Sequence, residues 1–151
     1  MTHISNSILL VEDCADDAVA LQRTLKEAGI GNSVRVVSDG LEAIAYLRGE
    51  GPFADRIQNP LPFLVFLDLT LPRCSGFDVL TWIRAQPELQ NMAVVVITGS
   101  QIAFDQRRAY ALGARSYQIK PLRPDDLRQL MQSMQLLWGL RETNPIVPSN
   151  S

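Results

Sequence analysis

Four short runs of β-branched and aliphatic residues, each followed by a turn and a segment of helical periodicity, constrain this chain more than any other feature. They are Ile8-Leu9-Leu10-Val11, Val34-Arg35-Val36-Val37, Phe63 to Leu67 and Ala93-Val94-Val95-Val96-Ile97, with a weaker fifth at Ser116-Tyr117-Gln118-Ile119. Runs this short, bounded by turn residues, read as strands rather than helices. The second alternates in part, as an edge strand does. The third and fourth are apolar throughout, as strands covered on both faces of a parallel sheet are.

The segments between them carry apolar stripes at helical spacing. Ala18, Leu21, Leu25 and Ala28 form one, stopped by Gly29, and Leu41, Ile44, Ala45 and Leu47 form a second, closed by Gly49. Phe77, Leu80 and Ile83 mark a third within Ser75 to Ala85, and a fourth runs from Ala103 to Leu112, ending at Gly113. The last is expected to begin at Pro124, a residue suited to a first turn, and to continue through Leu127, Leu130, Met131, Met134 and Trp138 to Gly139. Strand and helix in alternation predict an α/β fold, a doubly wound parallel sheet with helices on both faces. Glu50 to Pro62 is expected to be a long surface loop. Residues 1–6 are expected to form a flexible terminus, 7–139 one domain and 140–151 a C-terminal extension.

Composition narrows the function classes. A chain of 151 residues suits one domain with a substantial core. Fourteen basic against sixteen acidic residues give no general attraction to nucleic acid or to an anionic membrane. No apolar run approaches a membrane span, and MTHISNS lacks the features of a signal peptide. Cys14 and Cys74 are too few for a disulfide framework, so a reduced, cytoplasmic setting is expected. Both thiols fall on loops at one rim of the expected sheet; two unrelated small residues is the simpler reading, and a redox link is the alternative.

Ligands of a doubly wound sheet bind beyond the carboxyl ends of its strands. Here those ends carry Glu12-Asp13, Asp68, Thr98 and Lys120-Pro121. The run FLVFLDLTLP shows the point most sharply, because five large apolar residues end on one aspartate. A carboxylate beside a core is costly unless paired or bound to a metal. Crowded carboxylates repel and favour a divalent cation, and oxygen-only donors suit Mg²⁺ better than zinc.

ILLVED, FLDLTLP, VVVITGS and YQIKP, in this order, resemble the response-regulator receiver domains, over about Ile8 to Gly139. The resemblance implies a flavodoxin-like fold of five strands in the order 2-1-3-4-5. It implies that Asp68 is a nucleophile that accepts a phosphoryl group from a phosphohistidine on a sensor histidine kinase. Asp13 and Asp68 would ligate Mg²⁺ with the backbone carbonyl of Thr70, and Glu12 would act through a bound water. Lys120 would place its charge on the phosphoryl group, and Thr98 would give it a hydrogen bond. Tyr117 stands where the family has an aromatic that turns inward as the threonine moves; a half-buried strand aromatic is the plainer reading. The Lys120-Pro121 bond is expected to be cis. His3 lies in the terminus, so a partner kinase must supply the phosphohistidine.

Cys14 and Ser75 depart from the family, which has an asparagine or aspartate at the first position and an aspartate at the second. The loop EGPFAD and the ending LLWG resemble the single-domain regulators of bacterial phytochrome-type kinases, which implies dimerisation through the fourth and fifth helices and a C-terminal extension. The extra apolar residues Leu136, Leu137 and Leu140 suggest a partner surface or local packing of the tail. Arg107-Arg108 read as a solvated helix face. The output would be altered protein binding or relay of the phosphoryl group.

Two other readings compete. A haloacid-dehalogenase-type Mg²⁺-dependent phosphatase also uses an aspartate at a strand end, a later threonine and a lysine. It needs a second aspartate where this chain has Thr70, and it has no use for Glu12-Asp13. A degenerate receiver that takes no phosphate is disfavoured because all the site positions hold competent residues.

Overall fold

Register decides where the polar strand ends meet. β1 (Ile8–Val11), β2 (Val34–Val37), β3 (Leu64–Leu67), β4 (Ala93–Thr98) and β5 (Ser116–Ile119) form one parallel sheet in the order β2-β1-β3-β4-β5. Val11 pairs with Val37 on one side and with Leu67 on the other, so the carboxyl ends of the three strands are level. The computed structural model describes residues 5–99, 102–136 and 139–141.

Strand alternation sorts side chains into two cores. Leu9, Val11, Val65, Leu67, Val94 and Val96 face α2 (Gly40–Arg48), α3 (Gly76–Arg84) and α4 (Ala103–Ala111). Ile8, Leu10, Leu64, Phe66, Val95 and Ile97 face α1 (Ala15–Glu27) and α5 (Pro124–Ser133). β3 and β4 are buried on both faces, and each large aliphatic side chain taken from water there contributes about 1.5–3 kcal/mol. β2 lies at the edge, as its partial alternation suggests.

Two helices depart from their expected reading. In α2 the buried face is Gly40, Ala43, Tyr46 and Leu47, whereas Leu41 is exposed; a tyrosine enters the core because its hydroxyl donates to Pro60 O (2.9 Å). The Arg56 guanidinium donates to the carbonyls of Tyr46, Leu47 and Asn59, so the loop from Glu50 to Pro62 is tied to the end of α2.

α5 ends at Ser133 rather than continuing toward Gly139. The Leu136 N–H reaches back to Met131 O (2.9 Å) while Gln135 takes φ +57°, the same closure that Gly29, Gly49 and Gly113 make for α1, α2 and α4. The apolar period runs on in sequence, but the turn drives Leu136 into the α1/α5 core, where Leu140 also packs. These two therefore serve local packing, while Leu137 and Trp138 lie outside the described residues. Among the described residues no helix is long and apolar enough to cross a membrane.

Candidate functional site

β1 delivers Glu12, 5% exposed, and the exposed Asp13 to the rim, while β3 delivers Asp68, 7% exposed. One carboxylate oxygen from each lies within 4.8 Å of the others. Backbone N–H groups aim two of them: Cys14 N–H donates to Glu12 Oε2 (3.1 Å) and Thr70 N–H to Asp68 Oδ1 (3.1 Å). The loop after Asp68 must fold back tightly, and Gly76 allows it. Its N–H donates to Leu69 O (3.0 Å), and a Cβ there would lie 2.3 Å from Asp68 O. Ser75, the family departure, caps α3 by accepting from Asp78 N–H (3.2 Å) while Asp78 Oδ2 accepts from Ser75 N–H (3.2 Å).

Lys120 follows β5, held by its N–H to Thr98 O (2.8 Å) and followed by a cis bond to Pro121. Its Nζ donates to Glu12 Oε1 (2.6 Å), Asp17 Oδ2 (2.8 Å) and Asp68 Oδ2 (2.8 Å). Burial alone would make the ammonium more acidic, but the hydrogen bonds to Asp17, Asp68 and Glu12 outweigh it and hold the lysine charged. Burial raises the Glu12 pKa despite the pull of Lys120, and the nearby Asp68 charge adds to the rise. Three clustered carboxylates against one ammonium leave negative charge with oxygen donors only, a set that fits a hard divalent cation.

Thr98 ends β4, 1% exposed and in register with Ile119. Tyr117 is buried in the core beneath α4, and its N–H donates to Tyr110 Oη (3.1 Å). Thr70 is exposed beside Asp68. The structure thus brings Glu12, Asp13, Asp68 and Lys120 into one cluster, with Thr98 joined to it through the Lys120 backbone. Cys14 and Cys74 are both free thiols.

Asp17 was not singled out by its sequence position, since acids are favoured in any first helical turn. Its place one turn after Asp13, at the start of the helix that follows β1, is the available signal. A second pairing was also illegible. Arg73, at φ +66°, donates from Nε (3.1 Å) and Nη2 (2.5 Å) to Asp39 Oδ2, fastening the loop after Asp68 to the start of α2.

The family model of the response regulator receiver domain matches residues 8–132. Response regulator Rcp1 of Synechocystis sp. is 35% identical over 131 residues, 87% of each chain. The crystal structure of the Mn²⁺-bound form of Rcp1 superposes with a TM-score of 0.72 at 34% identity, covering 92% of this chain and 98% of that one. The phosphorylated cyanobacterial phytochrome response regulator RcpA gives a TM-score of 0.73 at 34% identity, covering 89% of this chain and 94% of that one. A rim of level strand ends, an acidic cluster answered by Lys120, and these matches lead to one assignment: the chain belongs to the response regulator receiver domain family.

Proposed function

We propose that Asp68 of this response regulator accepts a phosphoryl group from a phosphohistidine on a sensor histidine kinase, in the Mg²⁺-dependent self-catalysed manner of a receiver. The observation that carries this reading is the placement of Asp68: buried at the switch point of the sheet, Oδ1 held by Thr70 N–H (3.1 Å) and Oδ2 by Lys120 Nζ (2.8 Å). A carboxylate so fixed is oriented for in-line attack, where positioning and electrostatics dominate. One of its oxygens bonds to phosphorus as the P–N bond breaks, and the electron pair leaves with the imidazole. The product is an acyl phosphate.

Asp13, Asp68 and the Thr70 carbonyl would hold the Mg²⁺, with Glu12 acting through a bound water, and the ion would supply neutralisation of the phosphoryl charge when bound. Lys120 adds a compact positive charge, and the Thr98 hydroxyl gives a hydrogen bond once its loop draws inward. Tyr117, on the strand beside Thr98, follows that movement and transmits it to the α4 face. The functional unit is residues 7–139, with 140–151 as an extension.

A phytochrome-type kinase is the proposed partner, on the strength of the phytochrome response regulator RcpA among the relatives. Homodimerisation through the fourth and fifth helices and the C-terminal extension is supported by Ile102, just before α4, and by Phe104 and Tyr110 within it, which are 61%, 60% and 45% exposed. Residues 142–151 of the extension lie outside the described residues. The output is altered protein binding or phosphoryl relay. A cytoplasmic location agrees with the two free thiols.

The test is intact mass after incubation with Mg²⁺ and acetyl phosphate. The wild type gains one phosphoryl adduct that EDTA prevents, and Asp68→Asn gains none. An adduct on Asp68→Asn, or none on the wild type even in an early quench, would sink the reading.

A further inference from the structure

We propose that Asp17 is a positioning residue for Lys120: from the first turn of α1 it holds the ammonium beside Asp68 when a divalent cation occupies the acidic cluster. The inference rests on the reading of Asp68 as phosphoryl acceptor, and it concerns a residue that reading leaves without a task.

An ammonium has three N–H donors and no acceptor. Those of Lys120 meet three carboxylates on three different segments, Glu12 after β1, Asp17 in α1 and Asp68 after β3. Glu12 and Asp68 also belong to the cluster that fits a cation, and Asp17 does not. A doubly charged ion held at that cluster would compete with Lys120 for the negative charge of Glu12 and Asp68 and would repel the ammonium. A flexible four-carbon stem with no other partner then carries the ammonium toward water.

Asp17 supplies the remaining partner. It sits with Lys120 over a crevice whose other walls are Ala20, Leu21, Thr24, Ile97, Pro121 and Leu122, none of them charged. Its carboxylate is 44% exposed and stays outside the cation cluster. The helix dipole does not explain it, because Asp16 meets the same first turn without touching Lys120. Because Asp17 becomes the chief partner of Lys120 only when the cluster is loaded, it favours the loaded state and keeps the ammonium within reach of the phosphoryl oxygens.

Mn²⁺ titration followed by electron paramagnetic resonance tests this on the full chain. Wild type, Asp17→Asn, Asp17→Glu, Lys120→Met and the double variant Asp17→Asn/Lys120→Met are compared, with circular dichroism to show that each is folded. Asp17→Asn weakens Mn²⁺ binding about three- to fivefold, the coupling expected of a half-exposed ion pair. Asp17→Glu restores most of the loss, and Asp17→Asn in the Lys120→Met background shifts affinity by less than half that factor. At saturating Mg²⁺, Asp17→Asn also takes the phosphoryl group from acetyl phosphate more slowly, with the donor KM unchanged. Unaltered Mn²⁺ affinity in Asp17→Asn, or an equal factor in both backgrounds, overturns the inference, because Asp17 would then act as a distant charge or not at all. Neither result touches the acceptor reading, which fails separately, by the absence of an adduct on a wild type that binds Mn²⁺ normally.

Discussion

Asn32, at the amino-terminal end of the sheet, is 8% exposed, and Glu12 and Asp68, at the carboxyl-terminal end, are 5% and 7% exposed. The Asn32 amide donates to Asn6 O (2.6 Å) and Gly139 O (2.8 Å), and its oxygen accepts from Arg141 N–H (2.6 Å). Those partners are neutral backbone groups, and together they bind both ends of the described chain to the start of β2. At the other end the buried groups are charged, and Lys120 answers several carboxylates at once. Equal burial therefore has opposite meanings. A satisfied neutral amide contributes order, while an excess of like charge costs stability unless something binds there.

The sharpest test of this contrast removes one group from each end. Asn32→Leu leaves two carbonyls and one N–H without partners and should lower stability by about 3 kcal/mol. Urea denaturation measures this, and Mn²⁺ affinity should not move. Asp68→Asn should do the reverse, abolishing the phosphoryl adduct while leaving the apo protein as stable or more so. If Asn32→Leu altered metal affinity, the two ends would be coupled and the contrast would break.

Saturating the acidic cluster offers a comparison without substitution. Mg²⁺ at a hundred times its Kd should stabilise the wild type by about 2.7 kcal/mol. Chelation by EDTA should erase the gain, and Asp13→Asn should show almost none. Thermal melts with and without Mg²⁺ decide it.

Gly76→Ala places a methyl 2.3 Å from Asp68 O and 2.7 Å from Leu69 Cα, both backbone atoms that cannot swing aside. A loss of about 2 kcal/mol is expected, with slowed phosphorylation because Asp68 must shift. Gln135→Gly, at the closing turn of α5, should instead gain about 0.5–1 kcal/mol by relieving its φ of +57°. An adduct rate unchanged in Gly76→Ala would show that the loop adjusts without moving the acceptor.

The smallest effect concerns Asp39. Burial pushes its pKa upward, but the Glu42 N–H and the Arg73 guanidinium outweigh burial and lower it. A depressed folded pKa contributes stability above the unfolded value of about 4 that is lost as pH falls through the folded value. Arg73 is largely exposed, so the contribution should stay below about 1 kcal/mol. Asp39→Asn should flatten the acid limb of the stability–pH curve by that amount, and an unchanged limb would remove Asp39 from the account.

What could be read in advance follows from how local each signal is. Strand runs such as Val94 to Ile97, and the stripe Ala18, Leu21, Leu25 and Ala28, reflect burial that any such sheet imposes. The α2 stripe differs from its expected reading because Tyr46 is buried by partners outside the helix, the Phe53 ring at 5.1 Å and Pro60 O, which accepts from its hydroxyl fourteen residues away. The end of α5 was overrun because Gln135, unlike Gly29 or Gly49, carries no mark of a left-handed turn.

By itself the sequence determined the order of strands and helices, the winding that places every strand end on one rim, and the residues carried there: Glu12, Asp13, Asp68, Thr98 and Lys120. These follow from periodicities of two and 3.6 residues and from the handedness of parallel crossovers. Only the tertiary structure decided which carboxylates share Lys120, that Asp17 is among them, that Arg73 locks onto Asp39, and that Asn32 holds both ends of the described chain. Those choices depend on distances between segments far apart in the chain, where a carboxylate in a helical first turn looks the same whether it faces water or an ammonium.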